Sequence, residues 1–188
     1  FMIIMFSMLI SGFMGINQTS IRKILAYSSI NHIGWMISSM LFMESIWMIY
    51  FITYTIISMN MIFIFMKYNI FFMKQLFISL NKNYMLKMFF IMNFLSLGGL
   101  PPFLGFMPKW LTIQTLIENN LFTMTFMMVM MTLLTLYFYM RITFSTLMIN
   151  MNELNFYFKN KTKNWMLMTM NFLSLMGLSF ITLFFNFY

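Results

Sequence analysis

Residues 93–110 read NFLSLGGLPPFLGFMPKW, from Asn93 to Trp110. An apolar run enters the stretch from Met88, and Gly98 and Gly99 interrupt it just before Pro101 and Pro102. Glycine adopts left-handed backbone angles freely, and proline donates no backbone hydrogen bond. Two of each in so short a space predict a broken helix over residues 88–117, interrupted at 98–102. Apolar character resumes through Phe103, Leu104 and Phe106, and Lys109 comes soon after. Neither piece alone reaches the ~20 residues that cross a bilayer, but together they do. Unwound backbone at membrane depth is tolerated only where protein or a water-filled cavity satisfies it. Transporters place such breaks where ions are handled.

Composition places the rest of the chain in the same setting. Of 188 residues, 62% are hydrophobic and 7% charged, which no ordinary soluble domain tolerates. The expected class is an all-α polytopic membrane protein. There is no cysteine, so disulfides, thiolate metal sites and iron–sulfur ligation are excluded. The net charge of +8 does not point to nucleic acid, because the basic residues lie between apolar runs, where membrane topology accounts for them. The 28 Met and 26 Phe stand against one Ala and one Val. Helix packing in membranes favours small residues, so packing does not explain this bias. Codons rich in A and T, with ATA read as Met, do explain it and point to a mitochondrial genome. Phe1 lies inside an apolar run with no basic residues before it and no small-residue cleavage site, so it is not a signal peptide. The expectation is a fragment whose front is missing.

The chain divides into six expected spans, at about 1–15, 24–42, 46–66, 88–117, 121–148 and 165–188. The connections alternate in charge. Arg22 and Lys23 follow the first span, Lys67, Lys74, Lys82 and Lys87 the third, and Lys159, Lys161 and Lys163 the fifth. Glu44 and Glu118 mark the second and fourth. The positive-inside rule then puts the basic loops in the matrix, and Glu44, Glu118 and the C-terminus in the intermembrane space. The stretch from Tyr68 to Leu80 reads as a basic loop with aromatic anchors, with an interfacial amphipathic piece as the alternative.

Few residues here can carry chemistry. Lys109 lies some ~10 Å into the second half-helix at 1.5 Å per residue. Desolvation disfavours the charged form of an amine, which suits a proton relay. The alternative is a lysine snorkelling toward the side marked by Glu118. His32 lies mid-span, with Ser28, Trp35 and Ser39 on one helical stripe and Ile30, Ile33, Ile37 and Met40 opposite. Histidine suits proton passage, but neighbouring helices could equally use it for packing. Haem ligation would need a second histidine, and His32 stands alone. Arg22 and Lys23 are either topology anchors or a matrix-side mouth for protons. Arg141 either snorkels or pairs with a carboxylate.

Two stretches, NQTSIRKILAYSSINHIGWM at 17–36 and LSLGGLPPFLGFMPKW at 95–110, resemble the NADH dehydrogenase subunit 2 family. These are mitochondrially encoded antiporter-like subunits of respiratory complex I. The order of the spans resembles the family too, and the residue bias resembles that of insect mitochondria. The resemblance implies the second half of an inverted-repeat fold, with a broken helix in each repeat. It implies proton translocation coupled to quinone reduction elsewhere in the complex, with Lys109 as the relay lysine after the break and His32 on the helix of the polar axis. FMN, iron–sulfur clusters, ubiquinone and the NADH site would belong to other subunits, leaving no cofactor and no redox chemistry in this chain. Expected partners are the other membrane-arm subunits, neighbouring antiporter-like subunits among them, and phospholipid. The family's first repeat, with its own relay lysines, has no counterpart in these residues.

Three functions compete on the sequence: a proton-translocating subunit of complex I, a free-standing cation/proton antiporter of the same architecture, and a structural spacer that moves no protons.

Overall fold

Where the helices stop decides how this chain is arranged, and the stops are written in single residues. The computed structural model describes residues 1–80 and 84–148, together with Thr169, Asn171, Phe172, Ser174 and Gly177. The described residues form seven main helices: α1 (Met2–Ile16), α2 (Ile21–Met40), α3 (Glu44–Tyr68), α4 (Met73–Leu80), α5 (Tyr84–Gly98), α6 (Phe106–Glu118) and α7 (Phe122–Met148). The loop from Glu153 to Lys163, Lys82 and most of the expected sixth span lie outside the described residues.

Three of these helices end in the same hydrogen-bonded turn. After α5, Gly99 donates its N–H to the Ser96 carbonyl and Leu100 donates to Leu95. After α3, Asn69 donates to Met66 and Ile70 to Phe65. After α6, Asn120 donates to Ile117 and Leu121 to Leu116. The turn residue is left-handed in each, at φ 80° for Gly99 and 50° for Asn69, each next after its helix, and 61° for Asn120, the second residue past α6. Glycine and asparagine are the residues that reach this conformation at least cost. A fourth end is closed by a side chain: Arg141 Nη2 donates to the Ile16 carbonyl at the end of α1, at 2.6 Å. Among the described residues the partner of Arg141 is thus a helix-end carbonyl.

Two helices, α3 and α7, are long and apolar enough to cross a membrane. At 20 residues α2 rises ~30 Å, the thickness of a hydrocarbon core, but its serines, Asn31 and His32 dilute its apolar character. Outward faces are apolar, through Phe6, Ile10 and Phe13 on α1 and Phe126, Met130, Leu133 and Tyr137 on α7. Such a surface suits lipid rather than water. Helices α3 and α7 each pack against both α5 and α6.

Two apolar clusters fill the interior. One joins Ile24, Ile57, Met61, Phe90, Phe94, Leu104 and Phe138; the other joins Met8, Trp35, Tyr50, Leu116 and Met128. Buried with them are polar residues: Ser28, Asn31 and His32 on α2, Thr53 on α3, Lys109 and Thr112 on α6, and Thr135 on α7. They form a polar set shared by four helices. Asn31 Nδ2 donates to Thr135 Oγ1 within it, at 3.2 Å.

Three expectations change. The stretch 68–80 is not all loop, because Met73–Leu80 forms α4, with Leu76 and Leu80 buried in the first cluster. Lys87 is not a loop charge; it lies in the first turn of α5 and is buried. Helix does not resume at Phe103. Phe103 donates to the Leu100 carbonyl and Phe106 to that of Phe103, so turns continue until α6 begins.

The turn at Gly99 gives the first prediction. A Cβ there would meet the Lys109 side chain at 2.8 Å in a left-handed conformation, whereas one at Gly98 would sit in ordinary contact with Leu136 at 3.7 Å. Gly99→Ala is expected to cost about 1–3 kcal/mol and Gly98→Ala less than ~1 kcal/mol. Thermal unfolding in detergent compares the two, and equal losses would contradict this turn geometry.

Candidate functional site

A helix leaves its last four carbonyls without intrahelical partners. For α5 these are Leu95, Ser96, Leu97 and Gly98. The turn closes the first two through Leu100 and Gly99. Lys109 closes the other two: its Nζ donates to the Leu97 carbonyl at 3.2 Å and to the Gly98 carbonyl at 3.0 Å. Every carbonyl at this helix end therefore has a partner.

Lys109 is the fourth residue of α6, in its first turn. It is therefore nearer the break than the ~10 Å expected from sequence, because the break runs on to Gly105. The residue is 7% exposed, and its tip points back to α5 rather than out toward Glu118. A buried cation is costly unless it is compensated. Here the negative end of the α5 dipole and two carbonyl oxygens compensate it. Pro108 before it lies in the first turn of α6, where a missing N–H costs nothing. Gly105, which sequence reading passed over, is required by closeness: a Cβ there would collide with the Ser96 carbonyl oxygen. The cue was a third glycine in LPPFLGF, and its role shows only in three dimensions.

His32 is 4% exposed. Its Nδ1 is 2.9 Å from the Tyr50 hydroxyl on α3, and its ring lies 4.7 Å, centroid to centroid, from that of Tyr54. Its Nε2 is buried without a protein partner. A small cavity joins His32, Tyr50 and Tyr54 to Ser96, Leu97, Gly105 and Pro108 at the break. About 10 Å³ of it is open to water centres, room for roughly one water. The cavity thus reaches from His32 to Leu97, whose carbonyl Lys109 caps. Ser28, Trp35 and Ser39 are buried with His32, while Ile33 and Met40 are exposed.

Arg22 and Lys23 are elsewhere, at the start of α2 and exposed. The Arg22 guanidinium lies 4.4 Å from the centroid of the Phe71 ring. Pro101 and Pro102 are exposed in the turn, and Gly98 is the last residue of α5. Tyr50 and Tyr54 had no sequence signal: each is one aromatic among many on an apolar helix.

The family described as NADH:quinone oxidoreductase/Mrp antiporter, TM matches residues 1–135. NADH-ubiquinone oxidoreductase chain 2 of Anopheles albimanus is 42% identical over 167 residues, covering 87% of this chain and 98% of the relative. This chain belongs to the NADH-ubiquinone oxidoreductase chain 2 family. The chain 2 protein of Aedes aegypti is 46% identical over 183 residues, covering 96% of this chain and 54% of the relative. The chain thus spans about half the length of the relatives from Aedes aegypti and Anopheles gambiae. The fold is also that of a chain in respiratory complex I from Thermus thermophilus with bound aureothin, at TM-score 0.80 and 21% identity, covering 94% of this chain and 42% of that one.

The histidine contact is testable on its own. Tyr50→Phe leaves Nδ1 of His32 without its partner and is expected to lower stability by about 1 kcal/mol. Thr55→Val, at an exposed position, should stay within ~0.5 kcal/mol. Thermal melts in detergent read both, and a Tyr50→Phe melt matching that of the control would refute the buried contact.

Proposed function

We propose that this chain 2 homologue is a proton-translocating, antiporter-like part of the complex I membrane arm in the mitochondrial inner membrane. The observation that carries the reading is the buried amine of Lys109, held at a helix break by the carbonyls of Leu97 and Gly98, with a small cavity running from Leu97 to His32. In this reading α5 and α6 make one discontinuous span, the fourth of six. The packing of α3 and α7 along both pieces supports it.

Proton and structure are linked through the amine. An ammonium donates to Leu97 and Gly98 with charge assistance, and a neutral amine donates more weakly. Loss of the proton therefore loosens the tie between α5 and α6, and its return tightens it. His32, bonded to Tyr50 through one ring nitrogen and lining the cavity beside Leu97, is the nearest candidate for passing that proton on through water.

Charge at the two ends gives the orientation. Arg22, Lys23, Lys67, Lys74 and Arg141 gather where α1 ends, α2 starts and α3 ends. Glu44 and Glu118 lie at the opposite end. The basic end then faces the matrix, and the C-terminus the intermembrane space. Other membrane-arm subunits are the partners, and FMN, iron–sulfur clusters and ubiquinone are held outside this chain.

Lys109→Arg separates relay from cap. Arginine keeps N–H donors for the two carbonyls but stays protonated. The assembled complex should still form on native gels and oxidise NADH, while protons pumped per NADH fall. Undiminished pumping would leave a spacer role in place of the relay.

A further inference from the structure

Arg22 is not used by the proton-handling site, yet it rims a pocket of its own. This pocket, about 250 Å³, lies between the start of α2 and the end of α3. Its walls include Ile21, Leu25, Phe65, Met66 and Ile70. Ile21, Phe65 and Ile70 belong to the first apolar cluster, so the floor is packed. The mouth is held in place by backbone. Ile21 donates to the Phe71 carbonyl at 3.1 Å, Met73 donates to that of Thr19, and Ser20 bridges Phe72. The left-handed turn at Asn69 closes the far side. Over the rim stands the exposed Arg22 guanidinium, stacked on Phe71.

The surroundings carry one sign of charge. The pairing of residues 19–21 with 71–73 brings Lys23 and Lys74 to the same end, and Lys67 lies in the last turn of α3. Among the described residues no carboxylate lies at this end, since Glu44 opens α3 and Glu118 closes α6 at the other. An apolar body under a cationic rim, at the level of a membrane surface, complements an amphiphile with an anionic head. Guanidinium matches phosphate through paired N–H donors, and a basic membrane-facing cluster attracts anionic lipid.

We propose that this pocket seats one anionic phospholipid, with part of an acyl chain against Leu25, Phe65 and Ile70 and the phosphate on Arg22. The site is independent of Lys109 and of the proton-handling reading.

The test uses the chain within its native assembly, reconstituted in phosphatidylcholine vesicles. Each preparation contains a minor fraction of a lipid with a photoactivatable acyl chain, either phosphatidylglycerol or phosphatidylcholine. Labelled peptides are mapped by mass spectrometry. Both probes carry a phosphate, but only phosphatidylcholine brings a choline cation to the Arg22 rim, so the phosphatidylglycerol probe is expected to label residues of the pocket wall roughly tenfold more. Arg22→Gln should abolish that preference and Lys23→Gln should keep it. Leu25→Trp, which fills the pocket, should remove the label with Arg22 intact. Equal labelling by the two probes, or a preference that survives Arg22→Gln, would overturn the proposal. Cross-links from a neighbouring subunit in place of lipid would overturn it too, by assigning the pocket to a protein.

Discussion

Two backbone carbonyls in the interior of this bundle, those of Leu97 and Gly98, are out of reach of their own helix and are closed by the amine of Lys109. The rest of the site depends on that constraint. A buried carbonyl without a donor costs about 1–3 kcal/mol, and a buried ammonium without acceptors costs more. Each group removes the other's penalty. Gly99 must be glycine because the lysine stem passes over it, and Gly105 must be glycine because the Ser96 carbonyl presses against it. The start of α6 is fixed by the same contact, since its fourth residue has to reach the end of α5.

A break that is fully hydrogen-bonded can be both stable and sensitive to a proton. Backbone satisfied by backbone alone would be indifferent to charge. Here half of the helix end is closed by an ionisable group, so protonation and helix geometry are coupled without any further device. Ser28, Asn31, His32, Thr53, Thr112 and Thr135 are buried on the helices of the same bundle, alongside two apolar clusters.

Much of the fold was legible in single residues. Gly98, Gly99, Pro101 and Pro102 signalled a helix end, and α5 ends at Gly98. Glu118 marked the connection after the broken span, and α6 ends there, with the left-handed Asn120 two residues on. Other features were not legible, for physical reasons. Phe103 and Leu104 are as apolar as any helix residue, and only the position of the Ser96 carbonyl shows that the chain is still turning there. Lys87 looked like a loop charge because lysine is costly in an apolar interior, and tertiary packing overrides that prior. The stretch Met73–Leu80 is too short for its period to be told from a loop's. At the site itself, Lys109 and His32 stand out as ionisable residues in apolar runs, but their partners do not. Carbonyls are the same in every residue, and Tyr50 is singled out only by where α3 places it.

The most direct test is a distance. Solid-state NMR dipolar recoupling between an isotope-labelled Lys109 Nζ and labelled carbonyl carbons of Leu97 and Gly98, in lipid, measures the closure itself. With hydrogen bonds of ordinary length the account predicts nitrogen-to-carbon separations of about 4 Å to both carbons. A separation beyond about 6 Å to both would exclude the hydrogen bonds and contradict the account.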